Sequence, residues 1–243
     1  MVFVPLHDDN HLKFIPFQAT TWSLIAINVA VFLWQLTIGG EAQTAIDYGA
    51  GVIPASLLGD AKLPPDLVLT RPEFTLVTYM FLHGDIWHLL GNMMFLWVFG
   101  DDVEAALGRF RYLIFYFLCG AAGALAHFAA NPASHLPLLG ASGAVAGIVA
   151  AYLMLHPCRK IWVLAFMRIP VKIAAEWALG FWILVQILNI LFSTDETVAW
   201  WTHIGGLVAG AALVIVMRPP GVKLFDCDQD RLLEARQPSN TLT

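Results

Sequence analysis

Charge is what this sequence has least of. Acidic and basic residues make up 13% of its 243 positions, about half of the ~25% that soluble domains carry. Hydrophobic residues make up 58%, and mean hydropathy is +0.69. That balance excludes an ordinary soluble domain and describes a polytopic membrane protein. Net charge is only -5 and no basic block stands beside interleaved aromatics, which argues against nucleic acid as a partner. Cysteine is scarce as well. Cys119, Cys158 and Cys227 share no metal-ligand spacing and are odd in number, so reduced thiols are expected rather than a disulfide framework. Met1 to Thr21 carries acids as well as Lys13, and no small-residue cleavage site follows the first apolar run. That run reads as a retained spanning helix, not a signal peptide. Repeats and low-complexity segments are absent.

What the chain does have is long runs without charge. Residues 14–40 contain none, and Trp22–Ile38 is long enough for a first span. Met80–Gly100 gives a second, interrupted by His83, Asp85, His88 and Asn92, and Asp101–Arg111 is a charged connection. Tyr112 to Cys158 is again charge-free; it holds spans at 112–130 and 141–156, split by the helix-breaking turn Asn131–Pro137. A fifth span is expected at 173–192 and a sixth at 198–217, with Ile161–Ile169 as a short interfacial piece. The loop 39–79, with Pro64-Pro65 and several charges in Glu41–Thr78, reads as partly structured at the interface. The expected fold class is thus an all-α membrane protein. A six-transmembrane-helix bundle over 22–217 lies between an N-terminal segment, 1–21, and a soluble, partly disordered tail, 218–243.

Basic residues orient this layout. With the N-terminus in the cytoplasm, Lys13, Arg109, Arg111, Arg159, Lys160, Arg168, Lys172, Arg218, Lys223, Arg231 and Arg236 lie inside, and only Lys62 and Arg71 of the 13 lie outside. The opposite orientation breaks the positive-inside rule almost everywhere. Both termini are therefore expected inside, and the 41–78 loop, the 131–140 turn and Ser193–Thr197 on the other face.

With the orientation set, the polar residues within spans can be placed. Ser142, in Gly140-Ala141-Ser142-Gly143, opens the fourth helix just below the outer face, where free backbone N–H groups and the helix dipole favour developing negative charge. His203 lies near the outer end of the sixth helix, and His88 and Asn92 lie in the second, which descends from the same face. Polar side chains at such depth face a bundle interior or a water-filled cavity. Gly143 and Gly147 on the fourth helix, and Gly206 and Gly210 on the sixth, are each four apart, the small-xxx-small spacing that lets backbones approach closely. Contact along those faces brings the Ser142 hydroxyl within reach of the His203 imidazole, the arrangement of a serine activated by a general base. Taken alone, His203 reads first as a packed histidine bonded to a carbonyl; the match in depth with Ser142 and the glycine faces turn the reading to the dyad. His88 and Asn92, at i and i+4, share a face suited to an oxyanion hole, whereas His83 lies off it and reads as structural. No H-E-x-x-H occurs and no acid matches His83, His88 and His203 in depth, which argues against a metal site. Glu176, Asp85 and Asp195 supply no third catalytic member, which leaves a dyad.

Together these motifs resemble the rhomboid family of intramembrane serine proteases, over roughly residues 20–217. The resemblance is carried by Gly140–Gly143, by His203 followed by Gly206, and by the stretch from Phe81 through His83, His88 and Asn92 to Glu104. It implies a six-helix fold that cleaves peptide bonds in or near transmembrane segments of other membrane proteins within the bilayer, without metal or other cofactor. Ser142 would be the nucleophile and His203 the general base and acid. His88, Asn92 and the Ser142 backbone N–H would be the oxyanion donors, with Gly140 and Gly143 beside them. Two positions depart from the family pattern: the first-loop Trp-Arg pair is replaced by Glu73-Phe74-Thr75-Leu76, and the tyrosine one turn after the serine by Ala146. A catalytically silent relative that binds transmembrane segments is the alternative, although it needs neither Ser142 nor His203. A small transporter calls for broken helices or midplane charges, which the charge-free runs do not offer. The compact layout points to a bacterial plasma membrane. Cysteine labelling checks the topology: the face carrying Ser142 is expected to react from outside, and reaction from the cytoplasm would overturn the orientation.

Overall fold

Proline and glycine mark several of the helix limits, and one N-cap side chain opens the second long helix. The computed structural model describes residues 3–8, 17–57, 59, 63–165, 168–193 and 198–227. Strand β1 (Phe3–Asp8) leads to α1 (Ala19–Gln35), followed by three short helices, α2 (Gly40–Ala50), α3 (Pro54–Leu57) and α4 (Pro72–Thr78). The long helices α5 (Ile86–Leu107), α6 (Arg109–Ala130) and α7 (Ser142–Leu155) come next, then strands β2 (Lys160–Ala165) and β3 (Ile169–Ala174), and finally α8 (Ala175–Phe192) and α9 (Trp200–Met217). The described chain is mostly helical. Helices α6, α8 and α9 are long and apolar enough to cross a membrane, while α1 and α7 are apolar but shorter. Of the residues named above, Met1, Lys13, Lys62, Asp195, Thr197, Arg231 and Arg236 lie outside the described residues, as does the tail beyond residue 227.

The second long helix departs from the expected 80–100 at both ends. Tyr79–Phe81 forms a 3-10 turn that continues α4. The helix proper starts after Asp85, whose carboxylate accepts from the backbone N–H groups of Trp87 and His88 at 2.7 and 2.9 Å, as an N-cap does. It then runs through Asp101–Leu107, where the charges predict a connection, because two of its acids have partners. Fully buried Glu104 accepts from the backbone N–H groups of Thr20 and Thr21 at 3.0 and 2.8 Å and from the Thr21 hydroxyl at 2.8 Å. It thereby satisfies orphan donors at the start of α1. Asp102 pairs with Arg159 at 2.6 Å. Gly108, at φ +80°, makes the corner into α6 in a conformation that favours glycine.

The short apolar piece expected at 161–169 contributes strands: β2 and β3 belong to an antiparallel sheet in the order β1-β2-β3, with Val163 opposite Val171 and Val4 opposite Leu164. Ile161 and Val163 are buried and Trp162 is exposed, the period-two pattern of a half-buried strand rich in β-branched residues. The thiols differ from expectation too: Cys158 and Cys227 form a disulfide, their Cα atoms 5.3 Å apart across 69 residues of sequence, while Cys119 is free and buried. So long a separation leaves no local sequence signal for the pair. The start of the tail packs back on the bundle, the Phe225 N–H donating to the Met154 carbonyl at 2.8 Å.

Arg159 ties the sheet to the helices. Its guanidinium reaches Asp102 at 2.6 Å and Asp8 of β1 at 3.5 Å, and the Tyr152 hydroxyl donates to Asp8 at 3.0 Å. Burial, and then the neighbouring Asp102 charge, push the Asp8 carboxyl up to about 10, which favours a proton on Asp8 beside the Arg159–Asp102 pair. A folded-state value raised above the ordinary 3.8 contributes stability that is full in acid and declines as pH rises from about 4 towards 10. The Tm of the detergent-solubilised protein is expected to fall across that interval, and to fall less in Asp8→Asn, which mimics the neutral acid. Arg159→Met is expected to destabilise by about 3–5 kcal/mol by leaving Asp102 buried and unpaired. Equal pH slopes for wild type and Asp8→Asn in thermal melts would refute the assignment of the proton.

Candidate active site

Glycine brings α7 and α9 together. A Cβ at Gly206 would overlap the Gly143 carbonyl oxygen and lie 3.1 Å from the Gly143 Cα, and one at Gly210 would lie 2.5 Å from the Gly147 Cα. The backbones therefore touch at two levels one turn apart. Helix α6 joins from the side: a Cβ at Gly123 would lie 2.7 Å from the Thr202 carbonyl and 3.1 Å from the Gly143 Cα. A Cβ at Gly143 would meet the Thr202 methyl at 2.9 Å. Ser142, the first residue of α7, and His203, in the first turn of α9, thus flank the tight Gly143–Thr202 contact. Both are half-buried.

Gly140 shapes the approach to the serine. It sits at φ +113°, and a Cβ there would lie 2.6 Å from His88 Nε2 and 3.6 Å from Asn92 Nδ2. The His88 and Asn92 side chains therefore converge on the backbone two residues before Ser142. His83, which is 1% exposed, stands behind them: its Nε2 is 3.2 Å from Asn92 Nδ2, its ring is 5.2 Å from that of His88, and its backbone N–H donates to Gln35 Oε1 at 3.2 Å. His83 thus lies outside α5 and buttresses the pair through Asn92. Among the described residues, no three His, Cys, Asp or Glu side chains stand together as a metal-binding group.

The surroundings of His203 include residues the sequence analysis missed. Its ring lies 6.1 Å from that of Trp182 at 31°, and 5.8 Å from that of Trp200 at 87°. Trp182 also packs on the buried cluster of Ala146, Ala150 and Leu207, so an aromatic from α8 borders the alanine that stands where the family pattern has tyrosine. His203 Nδ1 is 2.7 Å from Gln186 Oε1. Gln186 does carry a sequence signal, since an amide within the apolar run 173–192 is as exceptional as a histidine within a span.

The chain matches the Rhomboid domain family over residues 71–220. It belongs to the rhomboid family. It is 29% identical over 215 residues to the rhomboid protease GluP of Bacillus subtilis (strain 168), covering 88% of this chain and 37% of that protein. To the rhomboid protease AarA of Providencia stuartii it is 30% identical over 150 residues, covering 55% and 49%. To Rhomboid protein 1, mitochondrial, of Saccharomyces cerevisiae (strain ATCC 204508 / S288c) it is 31% identical over 150 residues, covering 60% and 39%. The chain therefore spans less than half the length of these relatives. Family and apolar helices together make it an integral membrane protein.

The glycine contact can be tested against helix propensity. Alanine is favoured over glycine in a helix by about 1 kcal/mol. Gly180→Ala, whose Cβ would meet nothing within 4 Å, is expected to raise Tm in detergent. Gly210→Ala should instead lower it, because its Cβ meets the Gly147 backbone. A rise in both would refute the backbone contact.

Proposed function

We propose that this protein is an intramembrane serine endopeptidase that cleaves other membrane proteins within or beside a transmembrane segment. In this reading α1 and α5 to α9 are six spans and both termini are cytoplasmic, as the distribution of Lys and Arg favours. The site opens toward the outer face of a bacterial plasma membrane. The observation that supports the chemistry is the Gly143–Thr202 contact, flanked by Ser142 on one helix and His203 on the other, with His88 and Asn92 turned toward the chain just before the serine.

His203 Nε2 takes the Ser142 hydroxyl proton as Oγ attacks the scissile carbonyl. The carbonyl oxygen becomes an oxyanion, stabilised by the Ser142 backbone N–H at the start of α7 together with the His88 and Asn92 side chains. His203 then gives its proton to the leaving amine, an ester to Ser142 remains, and water activated by the same imidazole releases it. A silent relative that only binds transmembrane segments is the second reading, favoured by Ala146 in place of tyrosine.

Labelling with a fluorophosphonate probe separates the two. The folded wild-type protein in detergent is expected to be labelled, and Ser142→Ala and His203→Ala are expected to lose labelling. A folded wild-type protein that does not label would establish the silent relative instead.

A further inference from the structure

We infer that Gln186 is a positioning residue that fixes the His203 tautomer so that Nε2 carries the free lone pair. The inference rests on the reading of His203 as the general base. It comes from two hydrogen bonds made by one buried amide.

Gln186 is 4% exposed, and its side chain contacts two acceptor-capable groups at once. Its Nε2 lies 3.0 Å from the Trp182 carbonyl oxygen, one turn earlier on α8, and its Oε1 lies 2.7 Å from His203 Nδ1. A backbone carbonyl only accepts, so the amide must present its NH2 group to Trp182. The amide oxygen then faces the imidazole, and it too only accepts. Nδ1 must therefore carry a hydrogen, and in the neutral ring Nε2 does not. The amide orientation settles the tautomer without any carboxylate, which is the orienting function that a dyad otherwise lacks.

The same contact explains how the histidine keeps its place without an aromatic ring at position 146. With Ala146 at the serine helix, orientation comes from α8, through the Gln186 bond and the Trp182 ring. Along α8 the buried residues are Ala175, Ala178, Leu179 and Gln186, whereas Leu184, Ile187, Leu188 and Leu191 are exposed. Gln186 is thus the buried polar link from the second half of α8 to α9. Its alternative partner, were the bond broken, would be hydrocarbon, in which an unsatisfied amide is costly.

The test uses the full-length protein in detergent, with Gln186→Leu to remove the acceptor and Gln186→Glu to restore one. The first readout is independent of catalysis: 15N spectra of histidine-labelled protein, with the His203 signals identified by their loss in His203→Ala. The expected result is a protonated Nδ1 and bare Nε2 in wild type and Gln186→Glu, and a changed tautomer in Gln186→Leu. The second readout is cleavage of a transmembrane peptide. In Gln186→Leu kcat is expected to fall roughly ten- to a hundredfold with KM within about twofold, part of what a positioned base supplies, and Gln186→Glu is expected to recover most of it. Where Gln186→Leu does not keep the wild-type Tm, Gln186→Met takes its place in both readouts. An unchanged His203 tautomer in a folded variant without the acceptor overturns the inference, and so does unchanged kcat. A wild-type protein that cleaves nothing but shows the Gln186-dependent tautomer would overturn the protease reading alone.

Discussion

Backbone contact between α7 and α9 is the constraint on which the rest of the structure depends. Between helices in hydrocarbon there is no water to expel, so association rests on close van der Waals packing, which small residues permit. Gly143 and Gly147 on one helix meet Gly206 and Gly210 on the other with no room for a methyl group. Gly123 and Gly205 bring α6 into the same junction, where a Cβ at Gly205 would lie 2.8 Å from the Ala122 carbonyl oxygen. Once these three helices are locked, the residues at the edge of the lock have little freedom. Ser142 and His203 are such residues.

The segment before the serine is held separately, by backbone bonds from the short helices. Val52 and Leu138 exchange N–H···O bonds at 3.1 and 2.8 Å, the Ala55 N–H donates to the Ser134 carbonyl at 3.1 Å, and the Gly140 N–H donates to the Tyr79 carbonyl at 2.9 Å. The buried Tyr79 hydroxyl in turn donates to the Gly120 carbonyl of α6 at 2.7 Å. The region between α1 and α5, which sequence patterns describe as a partly structured loop, therefore acts as a brace for the turn that opens α7. At the far end Glu104 and Arg159 do comparable work: each satisfies groups from elements distant in sequence, and each is buried. Buried charges of this kind are tolerated because they are paired and hydrogen-bonded.

Much of the fold was legible because apolar runs and helix breakers are local signals. Asn131–Pro137 ends one helix and starts another whatever surrounds it, and long charge-free runs have few stable alternatives to helix. The sheet was less legible for a reason of length: six-residue apolar segments such as Lys160–Ala165 carry the same composition as a short interfacial helix. Lys160–Ala165 is a strand because it pairs with β3 next to it in the chain and with β1 from the N-terminal end. The extension of α5 through Asp101–Leu107 was hidden likewise, since its acids read as loop charges until Arg159 and the start of α1 are placed beside them.

By itself the sequence determined the membrane class, the mostly helical architecture, the family and the short set of polar residues able to act, because each follows from composition, spacing or residue type along one stretch of chain. The tertiary structure alone decided which of those residues meet and how they are oriented. Convergence of His88 and Asn92 on Gly140, the Cys158–Cys227 pairing, and the bond from Gln186 to His203 join residues on different elements. Such contacts exist only once helix packing has set depth and rotation, and neither quantity is written in any local pattern. Packing, not composition, decides what a buried polar group touches.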